Sequence, residues 1–302
     1  MSEELASLLE AGERAAFHGR PAAGLEPLTR ADALAGELGL VTERAAAGWL
    51  LAVCQAAAGQ LGQALSTLGP VTALTDDDPV ERRVFAAMGE ATLASVQRQL
   101  GRHAEARAHD ELALTLSDGR GEGGFDALLG LAADAVGLGD GAVAADNLAA
   151  AEDLVGDRVD WWRQRVRLGW VRAEVALLDD RPGDAVDAAS GAVELAEASG
   201  APRHVAKGLL FEGVALVEDA RPDAAAATLR RGALLAESLG TLPLVWPARA
   251  VLGALLADRD EVQSVRCLDA ARHAVDLIAE DLPLDLREGW LSRADVAALR
   301  DA

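Results

Sequence analysis

A three-residue pattern returns at intervals of 38 to 42 residues along the chain, and it constrains the fold more than any other feature. A small residue is followed seven positions later by a turn residue, and five positions after that by a second small residue. The first small residue stands at Gly12, Ala52, Ala94, Ala132, Ala173, Gly213 and Gly253. Periods of roughly 20–50 residues are typical of stacked structural units, so the pattern predicts an array of helical hairpins.

The other two positions of the pattern have a mechanical reason. The turn residues are Gly19, Gly59, Gly101, Gly139, Asp180, Ala220 and Asp260. The second small residues are Gly24, Ala64, Ala106, Ala144, Ala185, Ala225 and Val265. Where the two helices of a hairpin cross, a large side chain would force their backbones apart. A leucine at Ala173 would overpack such a crossing by about 1–3 kcal/mol.

Composition agrees with thin helical layers and excludes two classes of partner. Hydrophobic residues make up 51% of the chain but aromatic residues only 3%, and much of the remainder is alanine, a strong helix former. The formal net charge of −21 opposes binding to nucleic acids and anionic membranes. No apolar run reaches the roughly 18–20 residues of a membrane span. The acidic start lacks the pattern of a signal peptide, so we expect a cytoplasmic protein.

We expect one array over residues 1–302, without a division into domains. The predicted hairpins are 3–40, 41–79, 80–120, 121–159, 160–200, 201–240 and 241–282, followed by a C-terminal capping helix at 283–302. The acidic segment 75–79 and the glycine-rich segment 117–124 join successive hairpins and are candidate hinges.

Residues typical of catalysis or metal binding show no matching arrangement. The two cysteines, Cys54 and Cys267, are far apart, which argues against a disulfide framework. The five histidines have no metal-ligand spacing, and we expect them at the surface or in turns. No serine or cysteine lies in a recognisable nucleophile motif. The sequence therefore predicts a protein without enzymatic activity, metal or cofactor.

One cluster of charged residues has the period of the array. Arg163 and Arg203 are 40 residues apart, and so are Arg167 and Lys207, which places each pair at equivalent positions on adjacent first helices. Residues four apart share a helix face, so we expect the four cations to form a basic patch. The candidate partner-binding residues, with those expected to flank or extend the patch, are Arg163, Arg167, Trp170, Glu174, Arg203, Lys207 and Arg249. The alternative is that the cations only pair with nearby acids such as Asp160, Glu174 and Glu212.

The order of small and turn residues resembles the tetratricopeptide repeat. A third small residue follows seven positions on in five repeats, at Ala31, Ala113, Ala151, Ala192 and Gly232, and the pattern departs at Val71 and Arg272. The period exceeds the family's usual 34 or so and is similar to the longer repeats of large bacterial signalling regulators. The resemblance covers about residues 3–300. It implies an all-α, right-handed superhelical solenoid of about seven hairpins.

The resemblance also implies a function. First helices of such arrays line a concave surface, where Trp49, Ala91, Leu129, Trp170, Leu210 and Ala250 are expected. We expect a non-enzymatic scaffold that binds a protein or peptide there, plausible as a regulatory or sensor module, with an acidic group held by arginine. Two alternatives stay open. One is a regulatory domain that senses a small molecule, and the other is a self-assembling array that forms homo-oligomers.

Overall fold

The computed structural model describes residues 2–75 and 78–301, which form sixteen α-helices, one short 3₁₀ helix and no strand. The first eight helices are α1 Glu3–His18, α2 Leu25–Glu37, α3 Val41–Ala58, α4 Leu61–Thr72, α5 Val80–Gln99, α6 His103–Leu116, α7 Gly121–Gly137 and α8 Gly141–Val155. The next eight are α9 Trp162–Leu178, α10 Pro182–Ala198, α11 Pro202–Glu218, α12 Pro222–Leu239, α13 Leu242–Leu256, α14 Glu261–Asp281, α15 Leu284–Ser292 and α16 Ala294–Asp301. The 3₁₀ helix is Pro21–Gly24. The predicted all-α class is confirmed. Asp76 and Asp77 of the first candidate hinge lie outside the described residues.

Consecutive helices pack as hairpins, and the small residues lie where they cross. Ala173 and Ala185 are fully buried between α9 and α10. A Cβ atom added to Gly12 would lie 2.2 Å from Cδ2 of Leu28, and one added to Gly213 would lie 2.5 Å from Leu229. Such approaches are far inside van der Waals contact, so the small residues set how closely the helices pack.

The turn position of the pattern adopts a left-handed backbone in five repeats. The φ angles are positive at Gly59, Gly101, Gly139, Asp180 and Ala220. Glycine has no Cβ and enters this region without strain, whereas an alanine does so at a cost. Hairpin geometry therefore overrides residue preference at Ala220, whose φ is 53°.

The last hairpin differs from the sequence prediction. Val265 was expected at the crossing of α13 and α14, but its side chain is 51% exposed. Ser264 is buried there instead, and its hydroxyl donates to the carbonyl of Gly253 at 2.8 Å. The small residue has moved by one position, because a valine would be too large beside Gly253.

Two further segments differ from expectation. In the glycine-rich segment 117–124, α7 already begins at Gly121, and Gly123 and Gly124 are buried, so the connection is shorter than predicted. The C-terminal segment forms two helices rather than one, because the backbone turns at Arg293, whose φ and ψ are −58° and 134°.

The C-terminal helices close the array on itself. Trp290 of α15 and Val296 of α16 are buried against α4, α5 and α14 in one apolar cluster. Arg293 donates from Nη1 to the carbonyl of Gln99 at 2.6 Å. The apolar cluster and this hydrogen bond connect the last helices to the first half of the chain.

Asp281, at the end of α14, makes a second connection across the closure. Its Oδ2 accepts from the backbone N–H of Gly62 at 2.6 Å, and its Oδ1 accepts from Nε2 of Gln63 at 2.9 Å. These groups lie in the first turn of α4, where N–H groups lack helical partners. A further contact joins the start of the chain to α12, where Nε of Arg20 donates to the carbonyl of Ser238 at 2.8 Å.

The closed arrangement fixes the position of the first helices of the hairpins. Helix α1 contacts α11, and α3 contacts α13, although these helices are far apart in sequence. The first helices therefore face one another across an enclosed interior. No helix in the described part of the chain is long and apolar enough to cross a bilayer.

Candidate functional site

The interior contains a central cavity of about 290 Å³ lined mainly by first helices. Four of the expected inner-face residues contribute to its wall: Trp49, Ala91, Trp170 and Leu210. Leu129 lines a second cavity of about 230 Å³, which we call the distal cavity. The two cavities adjoin, because both are lined by Arg167, Trp170 and Lys207.

Most of the predicted site residues come together here. The central cavity is lined by Arg163, Arg167, Trp170, Arg203 and Lys207. Glu174 lies one helical turn beyond Trp170 and lines the distal cavity. The structure therefore places six of the seven predicted residues along one interior surface.

Arg249 is the exception and does not extend the patch. Its Nε and Nη2 donate to the carboxylate of Glu237 at 2.7 and 2.8 Å. Its Nη1 lies 3.6 Å from the sulfur of Cys267. These contacts join α13 to α12 and α14, so Arg249 stabilises the packing of the last hairpins.

Ion pairs in the central cavity follow the repeat register. Because successive repeats are 41 and 40 residues apart here, Glu122 of α7, Arg163 of α9 and Arg203 of α11 occupy equivalent positions. Glu122 accepts from Nη2 of Arg163 at 2.9 Å. Arg203 is next in the register, but the residue one repeat before it is Arg163, a cation, so the register provides no acid for Arg203.

The second register repeats this arrangement one helical turn further on. Asp126 of α7, Arg167 of α9 and Lys207 of α11 are equivalent. Asp126 pairs with Arg167, and it also accepts from Nη1 of Arg163 at 3.2 Å. Although burial raises the pKa of Asp126, both arginines outweigh this effect and hold it below the ordinary value. The carboxylate is therefore ionised.

Arg203 and Lys207, the two cations of α11, form no ion pair with a carboxylate in the described part of the chain. The acids expected as alternative partners were Asp160, Glu174 and Glu212, and none forms an ion pair with the four cations among the described residues. The acids that do pair, Glu122 and Asp126, were missed from the sequence. Reading each register one repeat back towards the N-terminus would have identified both.

Arg203 is half-buried and has no counter-ion among the described residues. Its Nε donates to the carbonyl of Ala16 at 3.4 Å. Burial, together with the charges of Arg167 and Arg163, lowers the pKa of Arg203 to about 10. Cys54 lies nearby, but burial raises the pKa of its thiol to about 11, so it stays neutral and does not compensate the guanidinium.

Lys207 has aromatic neighbours instead of a carboxylate partner. Its Nζ lies 4.7 Å from the ring centroid of Trp170 and 5.6 Å from that of Phe211. Burial lowers the pKa of Lys207 to about 8, in opposition to the more distant charge of Glu174. Both rings present an electron-rich face to the ammonium, which partly replaces the missing water.

His204 was expected at the surface or in a turn, and this prediction was wrong. Its ring is buried and stacks on Trp170 with centroids 5.5 Å apart. Burial and the nearby Arg203 charge lower its pKa well below the ordinary value, so the imidazole is neutral. Neither Nδ1 of His204 nor Nε1 of Trp170 has a hydrogen-bond partner among the described residues.

The distal cavity adjoins a buried cluster of charges on α5, α6 and α7. Arg98 lines this cavity and pairs with two fully buried carboxylates, Asp110 and Asp134. Burial raises the pKa of Asp110 to about 7, although Arg98 opposes the change. No group of three His, Cys, Asp or Glu side chains in the described residues is arranged to hold a metal ion.

Comparisons with known proteins show the fold. Neither a protein-family model nor a curated protein matches the sequence. A crystal structure of a Rap protein complexed with competence and sporulation factor matches 99% of this chain and 90% of that chain, with a TM-score of 0.67 and 12% identity. Aspartyl phosphate phosphatase F from Bacillus subtilis matches 100% and 83%, with a TM-score of 0.51 and 11% identity. The predicted tetratricopeptide-like fold is confirmed. The handedness and the number of repeats stay predictions.

Proposed function

We propose that this chain is a non-enzymatic binding module whose central cavity accepts an anionic group of a peptide or protein segment. The observation that carries the proposal is the pair of half-buried cations, Arg203 and Lys207, which have no carboxylate partners among the described residues. Removing a charge from water without pairing it costs several kcal/mol, so these residues do not serve stability. A bound carboxylate would provide the missing partner for both.

The electrostatic balance of the cavity supports an anionic ligand. Four cationic side chains line it against a single lining carboxylate, Asp126, in a chain whose formal net charge is −21. Within a cavity partly shielded from bulk water, an ion pair is stronger than at the open surface. Arginine also binds a carboxylate with two parallel hydrogen bonds, which fixes the orientation of the ligand.

The size of the cavity restricts the form of the partner. A volume of about 290 Å³ is near the lower end of ligand cavities and has no room for a folded domain. A protein partner would therefore insert a short extended segment or a terminus. The Rap crystal structure contains competence and sporulation factor, and this precedent on a similar fold agrees with a ligand-binding role.

A small anionic molecule is the second candidate, favoured by the enclosure of the cavity. The closure through α15, α16 and Asp281 limits access more than the open groove of an extended array would. A small ligand needs only a transient opening, whereas a longer segment must leave the interior at one end. A regulatory or sensor role fits either ligand, because a ligand bound in the interior would stabilise the closed form of the helical array.

Binding measurements with charge-neutral variants test the proposal. The full chain is screened against peptides with free C-termini and against a library of small organic anions. We expect the double variant Arg203→Gln/Lys207→Met to weaken each captured ligand by roughly tenfold or more, the equivalent of one charge-assisted hydrogen bond.

Arg83→Gln/Arg230→Gln is the matched control. It also removes two positive charges, but both arginines are exposed and lack carboxylate partners among the described residues. We expect it to bind like the wild type. Unchanged affinities for every ligand in the cavity variant would refute the assignment of this site.

A further inference from the structure

A half-buried carboxylate, which has no cationic partner among the described residues, lies in the same interior as Arg203 and Lys207. Glu174 of α9 lines the distal cavity, and among the described residues it makes no hydrogen bond and no ion pair. Arg98, the nearest candidate on α5, is held by Asp110 and Asp134. Glu174 is therefore available to a ligand.

Glu174 does not pair with Lys207, although the two residues line the same cavity. The two side chains interact electrostatically at longer range, since the charge of Lys207 opposes the increase in the pKa of Glu174 that burial causes. Two opposite charges on flexible side chains would meet in an ion pair if nothing separated them. Trp170 precedes Glu174 by about one helical turn and lines the same cavity, and its ring centroid lies 4.7 Å from Nζ of Lys207.

The chemistry of this arrangement differs from that of a site for a simple anion. A carboxylate alone would satisfy Arg203 and Lys207 but would be repelled by Glu174. A cation alone would satisfy Glu174 but would meet the three cationic side chains that line the same cavity, Arg98, Arg167 and Lys207. A single carboxylate also falls short of a metal site, which needs several ligands.

We infer that the ligand is zwitterionic: its carboxylate binds Arg203 and Lys207, and its ammonium group donates to Glu174. An unblocked short peptide or a free amino acid has these two groups. The inference rests on the proposed function, because it assumes that the anionic end of the ligand occupies the central cavity. It adds that the ligand continues into the distal cavity and ends there with a positive charge.

Three tripeptide libraries of identical composition test this inference on the full-length chain. One has free termini, the second is N-acetylated and the third is C-amidated, and retained peptides are identified by mass spectrometry. Dissociation constants of the best-retained tripeptide and its two blocked forms are then measured by calorimetry. We expect each block to weaken binding by roughly tenfold or more, since each removes a charged hydrogen-bonding partner.

A variant assigns the effect to Glu174. In Glu174→Gln, N-acetylation should change the affinity by less than about threefold, because the carboxylate that distinguishes the two forms is gone. Glu194→Gln on the exposed face of α10 removes the same charge and should behave like the wild type. The comparison of blocked and free peptides on the wild-type chain does not depend on how either variant folds.

The outcomes separate this inference from the proposed function. If the N-acetylated peptide binds as tightly as the free one while C-amidation still weakens binding, the ligand is a simple anion and the zwitterion inference is wrong. If C-amidation has no effect either, the cationic site is also wrong. Retention of no tripeptide from any library would overturn the inference.

Discussion

Replacing Lys207 by methionine should stabilise the unliganded protein while weakening ligand binding. The lysine has no carboxylate partner among the described residues, and burial lowers its pKa from 10.5 to about 8. At about 1.4 kcal/mol per pKa unit, this fall corresponds to roughly 3 kcal/mol against the charged form in the folded state. Methionine keeps the apolar stem of the side chain and removes the charge.

Two effects reduce the expected gain. The Lys207 side chain faces the cavity, where water screens part of the charge, although it is shielded from bulk solvent. Its contacts with the rings of Trp170 and Phe211 contribute roughly 1 kcal/mol, which the variant loses. We therefore expect Lys207→Met to raise the free energy of unfolding by about 1–2 kcal/mol near neutral pH.

The stability difference between Lys207→Met and the wild type should depend on pH. Below about pH 8, Lys207 is protonated in both the folded and the unfolded state, so the wild type bears the full cost of the buried charge. Between about 8 and 10.5 the folded state releases its proton before the unfolded state does, and the stability of the wild type rises relative to the variant. The advantage of the variant should fade across this range.

Urea unfolding of wild type and variant near pH 7 and near pH 10 measures both effects. Arg230→Met, which removes an exposed cation from α12, is the matched control and should leave stability nearly unchanged. A loss of stability in Lys207→Met near pH 7, or a difference that does not shrink with rising pH, would refute the claim that the charge is uncompensated.

Three further predictions concern the packing around the cavity. Asp281→Ala removes an acceptor for the first turn of α4 and should lower the unfolding free energy by about 0.5–2 kcal/mol, whereas its exposed neighbour Glu280→Ala should not. Gly62→Ala would place a Cβ 2.2 Å from the carbonyl oxygen of Asp281 and should lower the free energy of unfolding by about 1–3 kcal/mol. Its control is Gly191→Ala, in open space on α10, which should be neutral or stabilising. Thermal unfolding measures these variants and both replacements at 280 and 281. Arg98→Met leaves two buried carboxylates unpaired and should destabilise by about 3–5 kcal/mol near pH 8. Its cost should be smaller near pH 5, where Asp110, whose pKa burial raises to about 7, binds a proton, and unfolding measurements at both pH values would show this.

The repeat register explains which parts of the site were predictable. Arg163 and Arg203 were found because equivalent positions carry the same kind of charge, and the register places them on adjacent helices. Glu122 belongs to the same register, but its opposite charge hid it from a search for a basic patch. Arg249 was added only because its helix comes next, and its pairing with Glu237 depends on side-chain contacts that a periodic pattern does not specify.

The closure of the array was not predictable from the period. Repetition specifies contacts between neighbouring hairpins, whereas the closure depends on contacts between residues more than 190 positions apart, such as Arg293 with Gln99. The angle between successive hairpins determines whether the two ends meet, and small differences in that angle accumulate along the chain. Trp290 has no special place in the repeat pattern, yet it is buried where the ends join.

Closure and binding are connected through the environment of the cavity. Charges attract each other more strongly when water is excluded, so the contacts of Asp281 and Arg293 that hold the ring closed also strengthen any pairing between a ligand and Arg203. Conversely, a ligand that neutralises the buried cations removes a repulsion that favours opening. Ligand binding and ring closure should therefore stabilise each other by the same free energy, as thermodynamic linkage requires. Gly62 does not line the central cavity. Gly62→Ala should nevertheless lower the affinity for the ligand as well as the free energy of unfolding, because it disturbs the closure.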